Sequence, residues 1–366
     1  MEKIIGKGSY GYIFFPCLEF EDKLDIDKEK YVTKLQTYDD AENEVNNIKI
    51  INNIDNNNEF HLGEHYIVKL NEELYKNIIY DYNLEIFIDY NFKELVPILI
   101  KNGGYDLNHY SKIFKKWSCI HEKKIYLFLK EYYRLLQGIK LFNDNNIVHH
   151  DITPKNILYN IENNRLNFID FSLTDKKENI ISLSKNSNYE YSIFHSSYPF
   201  ELYFINLNNF NTLINKSDND IDDIINKIYC YFIKNEKSRT NKLVNELINS
   251  FSELFSYYYN LNNKVERKEI IINIIQNYKL SLLNLKKLNY DDFINDTLNT
   301  FDLYSYGLTF IYMLKYIEHI IQRDLFLKLL DLGIKMSFID LSQRISVEEA
   351  LLIFKNILEE YKILIN

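Results

Sequence analysis

The stretch Ile147–Leu158 reads I-V-H-H-D-I-T-P-K-N-I-L, and its reading decides the fold. Ile147 and Val148 lead in, Ile157, Leu158 and Tyr159 lead out, and both runs read as short buried strands. Between them a polar loop carries His149, Asp151, Pro154 and Asn156, the way a rigid scaffold presents working groups. A carboxylate followed five positions later by an amide suits a site where Asp151 accepts a hydroxyl proton and Asn156 holds a metal ion bound to phosphate. A polar turn between two strands is the plainer reading, and the rest of the chain decides between the two.

Upstream, I-I-G-K-G-S-Y-G-Y-I-F-F alternates as a strand, turns through Gly6, Gly8 and Gly11, and resumes as a strand. The chain has only 9 glycines, so this spacing near its start is unlike chance punctuation. Without Cβ atoms such a loop lets backbone N–H groups approach a phosphate. A strand follows rather than a helix, which argues against a dinucleotide-binding turn. Next, Tyr31–Leu35 alternates around Lys34, and 39–54 has helical spacing through Val45, Ile48, Ile51 and Ile54, with Asp39 or Asp40 as its cap. Glu44 on that helix is placed to pair with Lys34 and aim its ammonium at phosphates. An Asn-rich surface loop is expected over 54–64, a strand over 66–71 and another over 95–100, before Gly103-Gly104 marks a bend between a small sheet-rich part and a larger helical one. Apolar residues from Ile125 to Phe142 recur on one stripe, predicting a core helix over 122–143.

Downstream, a short strand over 166–169 delivers Asp170-Phe171-Ser172; Pro199-Phe200-Glu201, F-D-L-Y-S-Y-G at 301–307 and Arg344 in S-Q-R-I-S-V-E-E-A-L follow. The order of these motifs resembles the eukaryotic-type protein kinases over nearly the whole chain. The resemblance implies an α+β, two-lobed fold, with a small β-rich N-lobe over 1–102 and a larger helical C-lobe over 103–366. It also implies transfer of the γ-phosphoryl of ATP to a serine or threonine hydroxyl of a protein substrate. Asp151 is then the base, Asn156 and Asp170 the ligands of Mg2+ (or Mn2+), and Lys34, held by Glu44, the α/β-phosphate contact. Nucleotide contacts are expected at Ile5, Gly6, Lys7, Gly8, Ser9, Tyr10, Gly11 and Ile13, with Ile100 guarding the pocket, the Lys101–Gly103 backbone facing adenine and Asp106 reaching the ribose. Asp302 is expected to steady the catalytic loop and Arg344 to pair with Glu201.

The sequence departs from that pattern in four places. Residues 202–300 form a long insertion, whose helical spacing from Ile221 to Phe232 and from Leu243 to Phe255 predicts folded helices; the resemblance implies that it takes the place of the family's substrate-docking helix and docks a partner protein. His150 stands where many kinases have arginine, so activity without activation-loop phosphorylation is expected. Ser172 replaces a glycine, which makes positive φ less accessible there. Thr153 replaces a lysine near the transferred phosphate, and Lys155 is expected either to reach the γ-phosphate in its stead or, the favoured alternative, to face acidic residues of the substrate. Two rival readings are a pseudokinase that binds nucleotide or partners without chemistry, and a small-molecule kinase of the aminoglycoside or choline type, which shares the H-x-D-x-x-x-x-N loop. Glu201 and Arg344 speak against the second.

Composition bounds the rest. A 46% hydrophobic content argues for a folded protein, and a net charge of -9 with mixed signs suggests no basic face for nucleic acid or an anionic membrane. Three cysteines, Cys17, Cys119 and Cys230, without a C-x-x-C pair fit a reducing compartment rather than a zinc site. The most apolar stretch, 303–317, is too short to span a membrane, and glycine-rich chemistry from Gly6 leaves no room for a signal peptide, so a cytoplasmic setting is expected. H-H-D with the long insertion is similar to kinases of large DNA viruses, which would place the protein in host cytoplasm or virion.

Overall fold

The computed structural model describes residues 2–8, 11–20, 26–69, 73, 76, 84, 87, 94–186, 197–234, 242–245, 247–249, 251–252 and 266–364. The fold is α+β, a small antiparallel sheet with a larger helical part. The chain divides into two compact units, Met1–Tyr105 with Leu158–Thr174, and Asp106–Ile157 with Asp175–Asn366. The expected division at 102/103 keeps 158–174 with the second part, whereas here that segment belongs with the first.

In the first unit, strands β1 (Lys3–Gly8), β2 (Gly11–Phe15), β3 (Tyr31–Thr37), β4 (Tyr66–Ile67) and β5 (Leu95–Lys101) form an antiparallel sheet in the order β1-β2-β3-β5-β4. β3 is central, and its register sets Lys34 opposite Ile13 on one side and Ile98 on the other. All four residues from Thr33 to Gln36 are buried, so the polar ones need partners. Thr33 Oγ1, for example, accepts a hydrogen bond from the Leu18 amide at 2.9 Å. Helix α1 (Tyr38–Ile54) follows without a loop. Its cap is Thr37 rather than Asp39 or Asp40: extended backbone at the end of β3 leaves Thr37 Oγ1 to accept from the Asp40 amide, while Asp40 accepts from the same hydroxyl. α1 buries Ala41, Glu44, Val45, Ile48 and Ile51, and Ala41 and Val45 share a core with Ile98 and Ile100. The surface loop expected over 54–64 is only partly that, because Phe60 and His61 are buried and Asp55 accepts from the amides of Glu59 and Phe60, both at 2.8 Å.

In the second unit, helix α2 (Leu107–Phe114) precedes α3 (Glu122–Asp144), whose stripe from Ile125 to Phe142 is buried as its spacing predicts. The insertion is helical but has no boundary at Thr300. α4 (Asp218–Ile233) and α5 (Arg267–Leu285) lie inside it, whereas α6 (Tyr290–Ile317) runs straight through, since Phe293, Ile294, Leu298 and Phe301 continue one buried face. Leu243, Val244, Leu247, Ile248 and Phe251 are buried too, and Leu254 and Phe255 lie outside the described residues. These side chains share one core with Phe200, Leu202 and Leu341. These apolar faces hold the insertion against the segment around Glu201.

Candidate active site

The first unit gathers Lys34, Glu44 and Asp170, which the sequence separates by up to 136 positions. Lys34 Nζ donates to Glu44 Oε2 at 2.6 Å and to Asp170 Oδ1 at 3.3 Å. Gln36 Nε2 donates to the same Glu44 oxygen at 3.0 Å, and His65 Nδ1 lies 3.4 Å from the other. Burial alone would lower the Lys34 ammonium, but Asp170 and Glu44 outweigh it and hold the pKa above the ordinary lysine value. Burial likewise pushes the Glu44 carboxyl up, yet Lys34 and His65 keep it well below the usual carboxylate range.

Asp170 has left-handed backbone, φ 62° and ψ 68°, so positive φ falls on the aspartate and not on Ser172. Ser172 Oγ donates to Asp170 Oδ1 at 2.8 Å. Both of these hydrogen bonds to Asp170 thus land on one oxygen. α1 also carries Asn43 and Asn47, one helical turn apart; Asn43 Nδ2 donates to the Ser172 carbonyl at 2.8 Å and Asn47 Nδ2 to that of Phe171 at 2.9 Å. The Phe171 ring meets His61 edge-on at 6.1 Å, and His61 lies 3.3 Å from Asp55. Burial lowers the His61 pKa, against Asp55. Asn43, Asn47, Gln36, His61 and His65 were missed by sequence reasoning.

The glycine positions differ in what they do. A Cβ at Gly11 would collide with the Leu35 carbonyl oxygen, so this glycine lets β2 and β3 approach, whereas a Cβ at Gly8 would meet almost open space. Gly6 and Lys7 lie in β1 with the half-exposed Ile5, Ile13 in β2, and Ser9 and Tyr10 lie outside the described residues. At the end of β5, Ile100 is buried and Lys101 exposed, and the Asn102 amide donates to the Lys30 carbonyl at 2.8 Å. Gly103 packs against Leu62 and Leu158, where a Cβ would crowd both. Asp106, expected at a ribose, caps α2 by accepting from the His109 amide at 2.7 Å.

The second unit holds Asp151 and Asn156. Asn156 Nδ2 donates to the Asp151 carbonyl at 3.0 Å and to its Oδ2 at 2.6 Å, which fixes the plane of that carboxylate. Among the described residues no hydrogen bond reaches Asn156 Oδ1. The buried Asp302 accepts from the amides of His149 at 2.7 Å and His150 at 3.1 Å, as expected of a residue steadying this loop. Burial pushes the Asp302 carboxyl up to about 6, against those two amides and the Lys177 ammonium. His150 has φ 70°, is buried, and packs on the Phe301 ring at 5.2 Å. Thr153 is buried, and Lys155 is exposed with no ion pair among the described residues. Farther along, Arg344 Nη2 lies 2.7 Å from Glu201 Oε1, both side chains fully buried. That contact is close but not aligned as a hydrogen bond, and burial raises the Glu201 carboxyl despite Arg344.

No protein-family model matches the chain, and a search of curated proteins finds no match either.

Proposed function

We propose that the protein is a two-lobed protein kinase that transfers the γ-phosphoryl of Mg-ATP to a serine or threonine hydroxyl of a protein. The observation that carries the reading is the buried Lys34, its ammonium shared between Glu44 at 2.6 Å and Asp170 at 3.3 Å. A cation held by two anions is fixed and permanently charged, which suits contact with phosphate oxygens. In this reading Lys34 binds the α- and β-phosphates, and Asp151 takes the proton from the acceptor hydroxyl as its oxygen attacks the γ-phosphorus and ADP leaves.

Asp170 and Asn156 would hold magnesium. In the first unit Asp170 is about a quarter exposed with its hydrogen bonds on Oδ1, and in the second Asn156 keeps Oδ1; each is an oxygen of the kind magnesium takes alongside phosphate and water. When bound, the ion neutralises charge on the β- and γ-phosphate oxygens. Ser172 supports Asp170 rather than disturbing it, which favours an active enzyme over a pseudokinase. The sealed Glu201–Arg344 pair favours a protein substrate over a small molecule.

The test is phosphate incorporation from radiolabelled ATP by the full chain, into itself and into generic protein acceptors. Asp151→Asn is expected to lose ~10² to 10⁴ in rate with ATP affinity within a few-fold of wild type. Asp170→Asn is expected to weaken magnesium-dependent ATP binding. Equal incorporation by wild type and both variants would sink the assignment.

A further inference from the structure

The second unit carries a face that the kinase reading does not use. Between α2 and the second turn of α3 the chain reads K-I-F-K-K-W-S-C-I-H-E-K-K-I-Y-L, residues 112–127, with five lysines and a single acid in a chain whose net charge is -9. Lys112, Lys115, Lys116, Lys123 and Lys124 are all exposed. None has a carboxylate within ion-pair distance among the described residues. The lone acid, Glu122, accepts instead from the Tyr126 hydroxyl at 2.7 Å.

Apolar groups stand among these charges. Ile120, in the turn Cys119–His121 that leads into α3, is 83% exposed, and Leu127 is 49% exposed and lies three to four positions from Lys123 and Lys124, hence on their side of α3. Trp117, the only tryptophan of the chain, stacks on His121 at 4.8 Å and lies 5.7 Å under the Lys124 ammonium. Its carbonyl is 2.8 Å from His319 Nε2, which ties the turn to the end of α6.

We propose that this face docks peripherally on an anionic membrane surface. Charge complementarity selects the anionic headgroups, each lysine contributing a factor of about five in affinity. Lysine stems lie along the apolar boundary with their ammonium groups toward the headgroups, and Trp117 occupies the interface. Ile120 decides between lipid and an acidic protein partner. A side chain that stands this clear of the surface needs a matching pocket on a folded partner, while an acyl boundary receives it without one. The contact is peripheral, because no helix among the described residues is long and apolar enough to cross a membrane.

Sedimentation of the full chain with vesicles tests this. Binding is expected to phosphatidylcholine vesicles that contain phosphatidylserine and not to phosphatidylcholine alone, with loss in ~1 M salt, where the Debye length is about 3 Å. Excited at the red edge, where the 31 tyrosines of the chain do not absorb, Trp117 fluorescence reports on this face, and its emission is expected to shift to the blue on binding. Ile120→Asp and the double variant Lys123→Gln/Lys124→Gln, both at exposed positions and checked for unchanged melting, are each expected to bind at least tenfold more weakly. Absence of wild-type binding overturns the proposal. So does binding that Ile120→Asp leaves intact, or that polyglutamate matches with the same blue shift, since either outcome assigns the face to an acidic protein segment.

Discussion

Each unit buries one glutamate against one cation, and the two glutamates respond in opposite ways. Glu44 receives hydrogen bonds from Lys34 and Gln36 and has His65 beside its second oxygen, and its pKa falls. Glu201 has a guanidinium 2.7 Å away in a fully sealed site, and its pKa rises. Proximity of opposite charge is therefore not enough; the carboxylate that is stabilised as an anion is the one that accepts aligned hydrogen bonds. Arg344 spends its other donors elsewhere, Nε on the Phe338 carbonyl at 3.1 Å and Nη1 on Thr300 at 3.0 Å, and its guanidinium lies 4.6 Å from the centre of the Tyr304 ring. It behaves as a bolt for the second unit, with Glu201 as one of several contacts.

Removing the bolt is expected to have the largest effect. Arg344→Ala strands Glu201 and loses three further contacts, at a cost of roughly 3 to 5 kcal/mol, while Glu201→Gln leaves the guanidinium its contacts with Phe338, Thr300 and Tyr304 and an amide oxygen beside it, at a smaller cost of about 1.5 to 3 kcal/mol. Lys34→Met is expected to fall between them in stability, because Gln36 and His65 remain on Glu44, yet to lose about 10² to 10³ in transfer rate. Denaturant unfolding read beside the phosphate assay separates the two. Equal destabilisation by Arg344→Ala and Lys34→Met would break the comparison.

Much of this was legible in the sequence, and the reason is local. Lys34 sits in an alternating strand, Glu44 on a helical face and Asp151 in a loop between apolar runs, so each is marked by its own neighbours. What escaped was tertiary. His61 and His65 looked like loop residues, and nothing beside Asn43 or Asn47 tells that they meet Phe171 and Ser172 more than a hundred positions away. Thr37 was passed over as a cap because two aspartates followed it. The end of the insertion was set by where a motif began at Phe301, although the apolar period of α6 runs through it.

Acidity sharpens the comparison with a smaller effect. A depressed carboxyl such as Glu44 contributes stability that is present above the ordinary glutamate pKa of about 4.5 and lost as pH falls through the folded value. A raised carboxyl such as Glu201 has the reverse sign: the folded state holds the proton more tightly, so its contribution is present below 4.5 and lost as pH rises through the folded value. The melting difference between wild type and Glu44→Gln is therefore expected to shrink on acidification below pH 4.5, and that between wild type and Glu201→Gln to shrink as pH climbs above it. Slopes of the same sign in the two variants would show that the two carboxylates share one environment type after all.

The smallest expected effect lies in the residues that hold Asp170 in place. Its left-handed backbone costs a non-glycine residue roughly 1 to 2 kcal/mol, and the Ser172 hydroxyl together with the Asn43 and Asn47 amides are what offset it in the first unit. Ser172→Gly removes the hydroxyl at 2.8 Å and restores backbone freedom next to it. If Asp170 is a metal ligand, the loosened carboxylate raises the magnesium concentration for half-maximal activity a few-fold and leaves kcat at saturating metal nearly unchanged. Ser172→Thr, which keeps the hydroxyl, should restore the wild-type metal requirement. Asn47→Ala acts one step farther out, through the Phe171 carbonyl, and should shift the same requirement less. A fall in kcat at saturating magnesium, without a change in metal requirement, would place Ser172 outside the support of Asp170 and assign its hydroxyl to the path of the chain that follows.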